Sequence, residues 1–208
     1  MDTRNAKREK TYYNSQFQIY GYDPRSLGWV RGSQAVRFKN LTMVGELENC
    51  SILDVGCGFG DLYGYLLDSG LRVKYTGVDI NRNFIETARG IYPDAHFIEA
   101  DFESQVIAGK YDWAFASGIF NLKIEDNRTF IENSLKKMFK LSKKGIAADF
   151  LNAKKGVKSG NLYYQDPVEL SRFCDRLSGY VIVREDYLPS DFCIYVYRKD
   201  NAEDEIIW

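Results

Sequence analysis

From residue 51 onward the chain alternates short apolar runs with longer amphipathic stretches. The runs 51–55, 73–78, 95–100, 112–117 and 145–151 are apolar at nearly every position and end near Asp or Gly, which predicts buried strands. Between them, helices are expected to begin near Asp61, Asn83, Glu103 and Glu125, the last carrying Ile131, Leu135, Met138 and Leu141 at three-to-four spacing. Strands that are apolar on both faces and alternate with helices imply a parallel sheet covered on both sides. After residue 151 a helix is expected over 167–177, with Pro167 in its first turn. Two strands follow, 181–187 and 192–198, joined by Leu188-Pro189-Ser190-Asp191 as a hairpin-like end. Upstream, Val36, Leu41, Val44 and Leu47 predict a helix over 33–47. The first ten residues are charged and aperiodic and are expected to be loose, and 11–32 reads as turns around short pieces.

Composition narrows the partners. The 208 residues carry 28 Lys plus Arg and 29 Asp plus Glu, a net charge of −1, which speaks against a general nucleic-acid or membrane-surface binder. No apolar run approaches the roughly 18 residues of a membrane span, and the polar start is not expected to be a secretory signal. Cys50, Cys57, Cys174 and Cys193 form no CxxC pair, so neither zinc nor dithiol chemistry is expected, and a reduced, cytoplasmic location is.

The most informative segment is Leu53-Asp54-Val55-Gly56-Cys57-Gly58-Phe59-Gly60-Asp61, a strand running through a glycine turn into a helix. Glycines permit positive φ and let the backbone approach a ligand at the carboxyl edge of a sheet. The sixth position from Gly56 is Asp61, so the dinucleotide fingerprint fails, and no Gly-Lys-Ser/Thr follows for a Walker loop. Asp79 ends the second strand 19 residues beyond Gly60, where a carboxylate accepts from ribose hydroxyls. Asp101 ends the third strand, placed to accept from an adenine amino group while Phe102 covers the ring. The plainer alternative for each acid is a helix cap.

With these residues in place, the sequence resembles the class I S-adenosylmethionine-dependent methyltransferases. LDVGCGFG is similar to their first motif, GVDIN to the second, EADF to the third and YDWAFASGIF to the fourth. The resemblance implies an α/β, Rossmann-like, mostly parallel seven-stranded sheet with helices on both faces and an antiparallel C-terminal hairpin. It implies S-adenosylmethionine as cofactor, with Gly56, Cys57, Gly58 and Gly60 against the methionine part and Asp54 orienting the loop or meeting the amino group. Asp79 and Ile80 would take the ribose, Asp101 and Phe102 the adenine, and Ser117 and Gly118 the sulfonium side.

Methyl transfer is a displacement on an already activated carbon, so the absence of a catalytic triad does not argue against catalysis. The segment after the fourth strand, Ser117-Gly118-Ile119-Phe120-Asn121-Leu122, lacks the proline pair of amide and adenine-N6 methyltransferases and the two glutamates of arginine methyltransferases. Glu125 and Asp126 read as a capped helix start rather than a magnesium site, so no metal is expected. The lysines at 136, 137, 140, 143 and 144 read as a solvated face. His96 begins its strand, away from the ligand edge, and reads as structural. Catalytic candidates are Asp149, Tyr163, Tyr164 and Asn121, with interior packing the alternative for the tyrosines and a paired structural acid for Asp149. Substrate or lid candidates are Tyr20, Tyr22, Trp29, Ser33, Gln34, Arg37, Lys123 and Asn152.

The expected organisation is an N-terminal lid segment over 1–50, a methyltransferase domain over 51–200 and a tail over 201–208. The expected activity is methyl transfer to an O or N atom of a small molecule, a sugar or natural-product intermediate, without nucleic acid or membrane. Methylation of a protein or peptide terminus and a non-catalytic cofactor-binding subunit are the alternatives.

Overall fold

The computed structural model describes residues 3–29, 32–156 and 158–199, with side chains from residue 10 onward. Seven strands, β1 (Ser51–Val55), β2 (Lys74–Asp79), β3 (His96–Glu99), β4 (Tyr111–Ala116), β5 (Ser142–Leu151), β6 (Val181–Arg184) and β7 (Asp191–Tyr197), form one sheet. Their order is β3-β2-β1-β4-β5-β7-β6, with β7 antiparallel to both neighbours and β1 to β5 mutually parallel. The helices are α1 (Thr3–Tyr20), α2 (Ser33–Thr42), α3 (Asp61–Asp68), α4 (Arg82–Ile91), α5 (Asn127–Leu141) and α6 (Pro167–Cys174), with a short 3-10 turn at Pro24–Leu27.

Period-two alternation sends neighbouring strand residues to opposite faces. Leu53 and Val55 of β1 join Leu135 and Met138 of α5 on one side. Ile52 joins Leu41, Leu62 and Ile85 from α2, α3 and α4 on the other. Each fully buried side chain of this kind contributes about 1.5–3 kcal/mol relative to exposure. The order reverses between β1 and β4, and the crevice outside the strand ends at such a switch point is where α/β sheets hold ligands. That crevice carries the glycine turn and Ser117.

Three expectations are corrected. No helix follows Glu103: Asp101 instead closes a turn, accepting from the Glu103 amide at 3.0 Å and the Ser104 hydroxyl at 2.7 Å. The link between β3 and β4 runs as turns, and Val106 stands exposed in it. The N-terminal stretch is not loose: α1 runs to Tyr20, and Tyr13 and Phe17 lay their rings against Phe84 and Phe59. A polar helix of this kind draws its stability from that docking more than from its own propensity. α2 ends at Thr42, while Val44 and Leu47 stay buried beyond it, so the apolar rhythm outlasted the helix.

Lys137 leaves the expected solvated face, its ammonium bonding the carbonyls of Phe102 and Gln105. Among the described residues no helix is long and apolar enough to cross a membrane. The four cysteines are buried and form no disulfide. No group of acids, histidines or cysteines suited to a metal occurs among the described residues. The tail 201–208 lies outside them.

Candidate active site

A cavity of about 480 Å³ opens along the carboxyl ends of β1, β2, β3 and β4, a size typical of small-ligand sites. Its floor is the turn after β1. The amides of Gly56 and Cys57 both reach the Val78 carbonyl, at 2.7 and 3.1 Å, which fastens the turn to β2. Gly56 and Gly58 hold φ of 72° and 54°, the left-handed region that favours glycine. A Cβ at Gly56 would also collide with Ile119. Gly60 lies outside the cavity wall, at the N-cap of α3, where a Cβ would come within 2.8 Å of the Phe97 ring.

Acids surround this floor. Asp54 accepts the Tyr75 hydroxyl at 2.5 Å, and burial raises its pKa to about 7 against that hydrogen bond. Asp79 accepts from the amides of Gly58, at 3.0 Å, and Asn81, at 2.8 Å. Burial nevertheless lifts it to about 6. Asn81, not Asp79, caps α4, accepting from Asn83. Asp79, Ile80, Asp101 and Phe102 all line the wall, so the two acids are not spent as helix caps.

Beyond β4, Ser117 and Gly118 form the opposite shore. Both bond to Asp149, which lies beneath them and does not line the cavity. Burial raises Asp149 to about 6, opposed by the charge of Arg37 and the Ser117 bond. Trp29 rests on Gly118, where a Cβ would stand 2.5 Å from the indole. The Arg37 guanidinium lies 4.5 Å from the Trp29 ring centroid and pairs with Asp191, both side chains being buried. Ser33 accepts from Arg37 at 3.2 Å, and Gln34 donates to Asp61 at 3.0 Å.

The fold thus gathers Trp29, Ser33, Gln34, Arg37, Asn121 and Tyr164 into the wall with the glycine turn. Other candidates lie elsewhere. Tyr20 is exposed under the Arg25 guanidinium, and Tyr22 packs edge-on to Phe59. Tyr163 packs against the core, and Lys123 is exposed. Asn152 is fully buried, bracing its loop through Glu185 and the Lys154 amide. His96 stands exposed at the start of β3, at the far edge. Sequence reading missed Tyr12 and Tyr13 of α1, Ser134 of α5 and residues 188–191, all in the wall. Only the aromatic pair Tyr13 and Phe17, one helical turn apart, signalled the first of these.

The family model of a methyltransferase domain matches residues 52–145. A Mycobacterium tuberculosis protein named as an inferred methyltransferase, Rv1506c, is 30% identical over 166 residues, 76% of this chain and 99% of that protein. The magnesium protoporphyrin IX methyltransferase of Synechocystis PCC 6803, solved with bound S-adenosylmethionine, shares the fold at a TM-score of 0.67 and 16% identity, covering 94% of this chain and 97% of that one. The CcbJ methyltransferase of Streptomyces caelestis does so at 0.66 and 14%, covering 90% and 98%. With the seven-stranded order, the glycine turn and the acids at the ends of β2 and β3, the chain belongs to the class I S-adenosylmethionine-dependent methyltransferases.

Proposed function

We propose that the acceptor is a small molecule, a sugar or natural-product intermediate, methylated at an O or N atom. The observation that supports this is continuity. One cavity is lined by Asp79 and Asp101, by Ser117 and Gly118, and by Leu122, Leu162, Leu188 and Pro189. In this reading Gly56, Cys57 and Gly58 lie against the methionine part of the cofactor, with Asp54 at its amino group. Asp79 and Ile80 take the ribose, and Asp101 with Phe102 takes the adenine. The donor set suits such a ligand: carboxylates for hydroxyl and amino hydrogens, a ring face for the base, and anionic surroundings for a sulfonium.

The cofactor supplies a methyl group on an activated leaving group, so the chain's own work is alignment and exclusion of water. Asp149 holds Ser117 and Gly118 from below, and Trp29 covers Gly118 from above. The segment 20–37 serves as the lid. A peptide acceptor would need a groove between that segment and the loop after β5. The buried Arg37–Asp191 pair ties α2 to the start of β7, which favours a small acceptor over a chain. The four buried cysteines, none in a disulfide, suit the reducing cytoplasm.

Turnover of S-adenosylmethionine against fractionated metabolite and protein pools tests the reading. Release of S-adenosylhomocysteine is expected with the small-molecule fraction. Release with the protein fraction alone would overturn it.

A further inference from the structure

Among the described residues five acids, Asp54, Asp79, Asp101, Glu103 and Asp191, line the cavity against one basic residue, Arg37. Arg37 pairs with Asp191, donates to Ser33 and lies over the Trp29 ring, while its Nε is buried without a partner. At the nucleotide end, Lys137 sits 4.6 Å from the Phe102 ring centroid and partly offsets Asp101 and Glu103. Beside Ser117 and Gly118 the balance is different. There Asp149 lies under the loop, with Asp191 and Asp54 both coupled to it, and Arg37 is the one cation among the described residues of this end. Tyr187 adds a buried hydroxyl without a partner and no charge. An anionic acceptor would bring further negative charge into a low-dielectric space whose described protein cation is already paired with Asp191, leaving the cofactor's sulfonium to offset the remaining acids.

An independent observation states what the acceptor must offer. The Asn121 Oδ1 is buried without a hydrogen-bond partner, and Asn121 lines the cavity. Its backbone is held on both sides, the amide donating to Gly118 and the carbonyl accepting from Tyr163. A buried carbonyl oxygen in this state is costly until an N–H or O–H reaches it.

We propose, resting on the small-molecule reading above, that the methyl acceptor is an amine: Asn121 takes one of its N–H bonds, and the carboxylate surplus around Ser117 and Gly118 admits a cationic or neutral group while refusing an anion. An alcohol satisfies Asn121 but gains nothing from the surplus. A carboxylic acid is repelled by it. An acceptor that arrives as an ammonium first gives one proton to water; the neutral amine's lone pair then forms the new N–C bond as the C–S bond breaks, its electron pair remaining on sulfur. The product ammonium then releases a proton to water, so no histidine is needed at the site, and His96 stands at the opposite edge of the sheet.

The test uses two matched sets of probes: phenethylamine, 2-phenylethanol and phenylacetate, then glucosamine, glucose and glucuronate. Each is added to protein loaded with S-adenosylhomocysteine and carrying [15N]asparagine, with the Asn121 side-chain amide as reporter. Turnover with S-adenosylmethionine is followed in parallel. The amine of at least one set is expected to shift that signal and to exceed its alcohol in kcat/KM by at least about tenfold, with the carboxylate inert. Asn121→Leu should lose about tenfold for the amine, while Asn121→Asp, of the same shape, retains or strengthens it. Both variants should hold S-adenosylhomocysteine like the parent, which also shows that they fold. Preference for an alcohol or a carboxylate, or no amine response in the loaded protein, overturns the inference and leaves the small-molecule reading standing. Failure to bind S-adenosylhomocysteine, or turnover confined to protein, overturns both.

Discussion

The Ser117 hydroxyl donates to Asp149 Oδ2 at 2.6 Å, so the loop after β4 is held by a carboxylate from the end of β5. The Gly118 amide adds a bond to the other oxygen at 3.0 Å. Adjacent parallel strands bring the two together, since Ala116 of β4 pairs with Ala148 of β5. The loop after β4 is therefore set by sheet register, with Trp29 laid on top of it.

Stability should fall as pH rises toward neutrality. Burial raises Asp54 to about 7 and Asp79 and Asp149 to about 6. A carboxyl whose folded pKa exceeds its unfolded value favours the folded state fully below the unfolded value, and loses that advantage as pH rises through the folded one. The window is therefore about pH 4 to 7. Asp112, held low by the Ser51 hydroxyl and amide in spite of its burial, acts in the opposite sense, below that window. Urea unfolding of the ligand-free protein at pH 5 and 7.5 measures the slope. A flat or rising profile would show the three acids to be less buried than described.

Asp79→Ala should weaken S-adenosylhomocysteine at least tenfold, since charge-assisted bonds to ribose hydroxyls contribute about 1.5–3 kcal/mol each before water compensates. Calorimetry, beside circular dichroism to establish folding, provides the comparison. Because Asp79 also accepts from the Gly58 and Asn81 amides, part of the loss will come from a slackened turn. Equal affinity in a folded variant would leave Asp79 with the bracing role alone.

Breaking the Arg37–Asp191 pair should be strongly destabilising. Arg37→Met leaves a buried carboxylate without its partner, at a cost of about 3–5 kcal/mol. Replacing both residues, Arg37→Met with Asp191→Leu, should recover much of that loss. Denaturation midpoints of the two variants separate a paired charge from simple packing; equal losses would mean that packing dominates.

For the segment 20–37, the lid reading expects ligand-dependent order. Gly21, Gly28 and Gly32 all have positive φ, and Trp29 is half-buried on Gly118. Amides of 20–29 and 32–37 should gain exchange protection when S-adenosylhomocysteine binds, and Trp29 fluorescence should change with it. Equal protection in both states would make the segment permanent packing.

The strand–helix rhythm, the glycine turn and the acids ending β2 and β3 were legible in the sequence because local signals report them. A buried strand is apolar at every position, a left-handed turn selects glycine, and motif spacing carries the cofactor class. The expected helix at Glu103 gave way to a turn that Asp101 closes through the Glu103 amide and the Ser104 hydroxyl. Tertiary structure alone decided that polar α1 docks on Phe59 and Phe84, that Arg37 meets Asp191 across 154 residues of chain, and that Tyr20, Tyr22, Lys123 and Asn152 stay out of the cavity. Such pairings depend on which elements the sheet order sets side by side. Residue type and local spacing hold no record of a partner supplied by a distant strand, so the part of the wall that joins Trp29, Arg37 and Asp191 took shape only in the fold.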